Sequence, residues 1–219
     1  MSFSEDIAKR YGDEIFRVAP ISGVASFVIG VSLQASIAHG QSAWLVMLSK
    51  NYTYYWYFLD LMRGMSVGKL ALLAFVSIIS INFFRYSAKT LLAAGVRSQE
   101  GRLKKACLEA RRLIGSNPTP DAVRLGYEKW YKESHGRILG IYRLGTLCLG
   151  VSLQTTLVLF TDGFGLDLFV AIATFLYAAW CVWHFSLEYY KAVLPKRIII
   201  DSSLGLLGPD VIKGLDEIS

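Results

Sequence analysis

The 219-residue sequence predicts an all-α integral membrane protein with four transmembrane helices, and three observations predict it. Apolar residues make up 53% of the chain and charged residues 18%, a skew expected when lipid is the solvent for half the structure. Four runs, roughly 18–40, 66–86, 138–160 and 166–187, have the mainly apolar character and the length of about 20 residues needed to cross about 30 Å of hydrocarbon. The pentapeptide Gly30-Val31-Ser32-Leu33-Gln34 recurs unchanged as Gly150-Val151-Ser152-Leu153-Gln154, inside the first and third runs, so the chain reads as a duplicated two-helix unit forming one membrane domain. Aligned on the repeat, Arg17 falls on Arg137 and Ile21 on Ile141.

The segment before the first run carries Glu5, Asp6, Asp13 and Glu14 and no small-residue cleavage site, so the first span is expected to remain as an uncleaved anchor. Lys and Arg number three before the first span, two between Gln41 and Met65, twelve from Arg85 to Arg137, none in the turn Thr161 to Gly165 and four from Glu188 onward. The positive-inside rule then places both termini and the long middle loop in the cytosol. The net charge of +6 is mostly this topology. Acidic residues such as Glu100, Glu109 and Glu128 interrupt the basic loop, so direct nucleic-acid binding is not expected. Cys107 falls in that loop and Cys148 and Cys181 in spans, which argues against a disulfide framework.

Between the first two spans, Trp44, Tyr52, Tyr54, Tyr55, Trp56, Tyr57 and Phe58 form an aromatic segment suited to the outer membrane interface. The sequon Asn51-Tyr52-Thr53 is too short a pattern to carry weight. The second span, the weakest because its apolar core contains Asn82, should continue as one long helix from Ser87 to Ile114. Leu103, Cys107, Ala110 and Ile114 give that stretch an apolar side. Gly115-Ser116-Asn117-Pro118 breaks it, and Thr119 with Pro120 supplies a cap and a first-turn proline for a returning helix carrying Val123, Tyr127, Trp130 and Tyr131. Residues 87–136 are therefore a cytosolic helical hairpin. The tail, 188–219, is too apolar to be a disordered linker and too broken by Gly and Pro to cross the bilayer. It must bury Ile199, Leu206 and Ile212 against the hairpin, a neighbouring subunit or a partner. Arg111, Arg112 and Trp130 of the hairpin join those three as candidate docking residues.

Within the membrane, Ser26, Gly30 and Gln34 recur at four-residue intervals, as do Thr146, Gly150 and Gln154. Small residues let backbones approach and an amide can bond across the contact, so both stripes read first as helix-packing faces. A pore lined by the two glutamines, with Ser36 and Thr156, is the alternative. More stripe than one monomer consumes points to a homo-oligomer, a dimer or tetramer of closed symmetry. Ionisable residues in spans are few: Arg143 and Lys69 can reach headgroups, and His184 can pair with Glu188 or either with Arg143. Asp162 and Asp167 flank an external turn. The three histidines are widely separated, and no nucleophile elbow, phosphate loop or paired Cys-x-x-Cys occurs, so the expectation is a non-enzymatic protein without cofactor or metal.

Four spans, both ends inside, a basic cytosolic hairpin and no catalytic motif together resemble the membrane component of Kiwa-type bacterial phage-defence systems. The multi-span immunity proteins against pore-forming toxins are similar to a lesser degree. The repeat is a signature of neither, so the resemblance carries over no site residue. What the Kiwa resemblance implies is an oligomeric inner-membrane sensor and scaffold that recruits a cytosolic effector. A small channel or membrane-perturbing effector and an immunity protein are the alternatives.

Overall fold

The computed structural model describes residues 7, 10–11, 21–37, 41–49, 55–115, 120–162 and 165–203, which are almost wholly helical, with no strand among them. The helices are α1 (Ile21–Gln34), α2 (Ala43–Ser49), α3 (Tyr55–Arg63), α4 (Val67–Ser98), α5 (Glu100–Gly115), α6 (Pro120–Asp162), α7 (Gly165–Glu188) and α8 (Leu194–Ser203). A π-helical turn, Tyr189–Val193, joins α7 to α8.

Three helical stretches are long and apolar enough to cross a membrane: Val67–Ser98, Arg124–Phe160 and Gly165–Ile198. They contain the second, third and fourth runs read from the sequence. The first run is different. Its described helix has 14 residues, about 21 Å at about 1.5 Å per residue, short of about 30 Å of hydrocarbon. It ends at Gln34 and not near Gly40; residues 18–20 and 38–40 lie outside the described residues. Past Gln34 the backbone turns, with Ser36 N–H donating to Leu33 O.

One further expectation is corrected. The continuous helix from Ser87 to Ile114 is divided at Gln99, where two carbonyls accept side-chain hydroxyls besides their helical N–H donors: Ser98 Oγ donates to Gly95 O and Tyr190 Oη to Gln99 O, while Gln99 N–H and Leu103 N–H still donate to the same two oxygens. The fourth run does not end its helix at residue 187. Its helix widens into the π turn and continues to Ser203. Pro195, the second residue of α8, sits where a first turn tolerates a missing N–H, and the π turn before it absorbs the change of register. Pro120 opens α6 as expected, and that helix then runs 43 residues to Asp162.

The chain forms two compact units. One, here the apolar unit, comprises Ala19–Tyr86 and Tyr142–Val182. Many of its outward residues are large and apolar, among them Val24, Phe75, Ile78, Phe83, Phe169, Ile172, Leu176 and Trp180. Its interior is unusually rich in hydroxyls: Ser26, Ser77, Ser80, Thr146, Ser152 and Thr155 are buried. A water-soluble protein distributes these groups the other way round. Lipid removes the drive to hide Phe and Leu and leaves close contact and hydrogen bonds to hold helices together. A smaller conventional core of Leu33, Ala43 and Val158, flanked by Ile29, Trp44 and Met47, closes one end.

The other, polar unit comprises Met1–Val18, Ser87–Ile141 and Trp183–Ser219. Leu92, Val96, Leu103, Ile138, Val193 and Ile198 are in its core, with Ile7 and Tyr11 from the N-terminal segment. Helix α8 packs against α5.

Candidate functional site

The six membrane residues singled out from the sequence are the place to begin. Helices α1 and α6 run parallel and approach closely, because a Cβ on Gly30 would lie 2.6 Å from Gln154 Cδ and one on Gly150 would meet Ser26 Oγ and, at 2.6 Å, Ser26 Cβ. The repeats do not face each other like for like. Ser26 lies opposite Gly150 and Gly30 opposite Gln154, a slip of four residues, about one helical turn. The slip sets a small group against each larger one.

Gln154 thereby becomes a bridge. It is fully buried; its Nε2 donates to Leu73 O at 2.9 Å and to Ser77 Oγ at 3.1 Å, tying α6 to α4. Ser77 Oγ in turn donates its one proton to Leu73 O at 3.0 Å and lies 3.4 Å from Ser26 Oγ, close enough to accept from it, so three helices share one hydroxyl–amide network. Thr146, the counterpart of Ser26, bonds back to Tyr142 O of its own helix. Gln34 has no counterpart network: it is half-buried, no hydrogen bond to its amide exists among the described residues, and it lines a cavity of about 380 Å³ with Asp60, Ser66 and Lys69. The stripes on which spare oligomeric surface was expected are therefore occupied within the chain at Ser26, Gly30, Gly150 and Gln154.

Sequence reasoning missed Asp167. Expected at an external turn, it is fully buried in the first turn of α7 and caps α2: its carboxylate accepts from Ser42 Oγ at 2.6 Å, Ala43 N–H at 3.1 Å and Trp44 N–H at 3.2 Å. A carboxylate at a helix N-terminus satisfies orphan donors and the helix dipole together. Trp44 Nε1 donates to Thr155 Oγ1 at 3.1 Å, which anchors α2 to α6. The legible signal was Ser42 directly ahead of an apolar helical run; its partner lay too far along the chain to be inferred.

In the polar unit, the docking candidates divide. The side chains of Arg111, Arg112 and Ile199 and the positions Leu206 and Ile212 lie outside the described residues. Trp130 is half exposed, with the Lys196 ammonium over its ring. Lys196 also donates to Ser134 Oγ at 3.2 Å; burial, and then the nearby Arg137 charge, draw its pKa down to about 8. Arg197 lies over the Tyr131 ring and pairs with Asp201 at 3.3 Å. Asp201, almost fully buried, accepts from Tyr11 Oη at 2.7 Å, and burial and that bond push the Tyr11 pKa well up. The tail is thus covered in cis as far as Asp201, since Ile198 and Ile200 are buried with these ions. His184 pairs with Glu188 at 3.4 Å as the spacing suggested, but the second partner of Glu188 is Arg137, at 3.2 Å. Burial raises the Cys107 thiol to about 12, which removes its nucleophilic thiolate at neutral pH. Among the described residues no group of three His, Cys, Asp or Glu is placed to hold a metal ion.

The chain is an all-helical protein with three helices long and apolar enough to cross a membrane, the build of a membrane protein. Compared with known proteins, it matches no family model, no curated protein and no solved structure.

Proposed function

We propose that this chain is a non-enzymatic inner-membrane scaffold or sensor of bacteria that crosses the bilayer four times and presents its polar unit to a cytosolic partner. The observation that carries the proposal is the polar unit itself. It has its own core, its N-terminal segment and α8 are held by buried groups around Asp201, and none of the described groups in it converges on a reaction centre. A folded, charged module borne by membrane helices is suited to binding rather than to catalysis. The four-span topology is supported by outward apolar residues on α1 as well as on α4, α6 and α7. With the repeat stripes occupied, assembly into a dimer or tetramer falls to the outward faces of α4 and α7, where Phe75 and Phe169 are exposed. The resemblance to the Kiwa membrane component supports a role in anti-phage defence.

The test is recruitment. The full chain, purified in mild detergent from its own host, should retain one cytosolic protein that a variant carrying Lys129→Glu and Lys132→Glu, both exposed on α6, loses while keeping its helix content and elution volume. Removing 204–219 takes away Leu206 and Ile212 without cutting into the buried part of α8, which a deletion from Ile198 would destroy. Full recruitment by both variants would overturn the proposal, and channel currents in planar bilayers would replace it with the pore reading.

A further inference from the structure

The cavity beside Gln34 belongs wholly to the apolar unit and has not been given a role. It lies between the end of α1, the end of α3 and the start of α4, with a volume of about 380 Å³, and Gln34, Asp60, Leu61, Met65, Ser66 and Lys69 contribute its lining. That size is within the range of about 300–1,000 Å³ usual for small-ligand sites. Its walls combine apolar surface from Leu61 and Met65 with one carboxylate, one ammonium, one amide and one hydroxyl. Lys69 has no ion-pair partner among the described residues, and the Gln34 amide no hydrogen-bond partner. Asp60 meets Arg63 at 3.4 Å, but both are strongly exposed, and such a pair is worth at most about 1 kcal/mol and yields readily to a competitor. Backbone bonds fix the floor: Gly64 N–H donates to Asp60 O and Leu70 N–H to Ser66 O, both at 3.1 Å.

One negative and one positive side chain on the same small cavity, with the Gln34 amide and the Ser66 hydroxyl, whose oxygen already accepts from Lys69 N–H at 3.4 Å, beside them, complement a ligand carrying both charges. We propose that this cavity binds a small zwitterion in which a primary ammonium and an anionic oxygen group are a few bonds apart, the ammonium toward Asp60 and Gln34 Oε1, the anion toward Lys69 and Ser66 Oγ. Two sources share that chemistry: an ethanolamine phospholipid headgroup and a free amino acid. The site rests on the four-span reading only for which of them can reach it, since Lys69 stands at the start of the apolar stretch of α4.

The experiment uses the full chain in detergent, with short-chain phosphatidylethanolamine, the matching phosphatidylcholine and glycine as probes, read by native mass spectrometry and by thermal shift. The choline lipid keeps the anion and cannot donate a hydrogen bond from its cation, so it should bind about tenfold more weakly than the ethanolamine lipid. Asp60→Asn and Lys69→Ala, both at exposed positions, should each weaken the preferred probe by a similar factor without altering partner recruitment. Preference for the ethanolamine lipid identifies a headgroup site, and binding of glycine with indifference between the lipids identifies a free amino acid. Absence of zwitterion binding, or binding that both substitutions leave unchanged, overturns the proposal.

Discussion

The two copies of Gly-Val-Ser-Leu-Gln are identical in sequence and unlike in what they do. In the second copy Gly150 receives Ser26 and Gln154 bridges α6 to α4 from a fully buried position. In the first, Gly30 receives Gln154, and Gln34 looks into a cavity. The cause is the one-turn slip between parallel helices. Two identical stripes paired in register would set glutamine against glutamine and glycine against glycine, one pair too large and the other leaving a void. The slip solves both, at the cost of leaving the last residue of the first stripe without a partner. The repeated pentapeptide supplies a packing surface, and the offset breaks its symmetry into one structural amide and one available amide.

The asymmetry makes Gly150 the most sensitive position. Gly150→Leu must force apart backbones that a Ser26 Cβ already touches and should abolish the compact form, seen as loss of the monodisperse peak in detergent chromatography. Gly150→Ala should cost about 1–3 kcal/mol as an overpacked contact. Gly30→Ala should cost less, because the atoms it meets are the end of the Gln154 side chain. Equal melting shifts for the two alanine variants would contradict the slip.

Next in size is the cap. Asp167→Ala strands three donors at the start of α2 and should lower stability by about 2 kcal/mol, with Trp44 fluorescence moving to the red as that helix loosens. Gln154→Leu should cost about 1 kcal/mol, in the range of interhelical hydrogen bonds in lipid. Gln34→Leu should change thermal stability hardly at all. A larger effect at Gln34 than at Gln154 would reverse the division of labour proposed for the pair.

The smallest effect is a contrast from outside the repeats. Lys196, with its pKa drawn down to about 8, binds its proton less tightly folded than unfolded, where the usual lysine value of about 10.4 applies. Below pH 8 both states are protonated and the buried ammonium weighs fully against the fold; between about 8 and 10.4 the folded state loses its proton first, so this group makes stability rise with pH. Melting curves of the native chain and of Lys196→Met across that window should converge as pH rises.

Much of this architecture is visible in the residues. The second, third and fourth runs lie within the three helices long enough to cross a membrane, because twenty apolar residues leave a chain few alternatives. Pro120 marked the start of α6 because a first-turn proline needs no N–H partner. What was not legible depended on partners distant in sequence. The Gln99 carbonyl at the break accepts from Tyr190, the buried Asp167 is partnered by Ser42, and the fates of Gln34 and Gln154 follow from an interhelical offset that local periodicity does not encode. The helical course of the tail past residue 188 was not legible for a related reason: α8 is held by Tyr11, near the other end of the sequence.

The cap on α2 also orders events during synthesis. Ser42 and Asp167 are 125 positions apart, which at about 5–20 residues per second is roughly 6–25 s of translation. Throughout that interval the segment after α1 has been made and its acceptor has not, so α2 cannot settle until α7 has arrived. A ribosome stalled before Asp167 would therefore hold a nascent chain whose α2 segment is open to proteases, and its closure would report that α7 has been made.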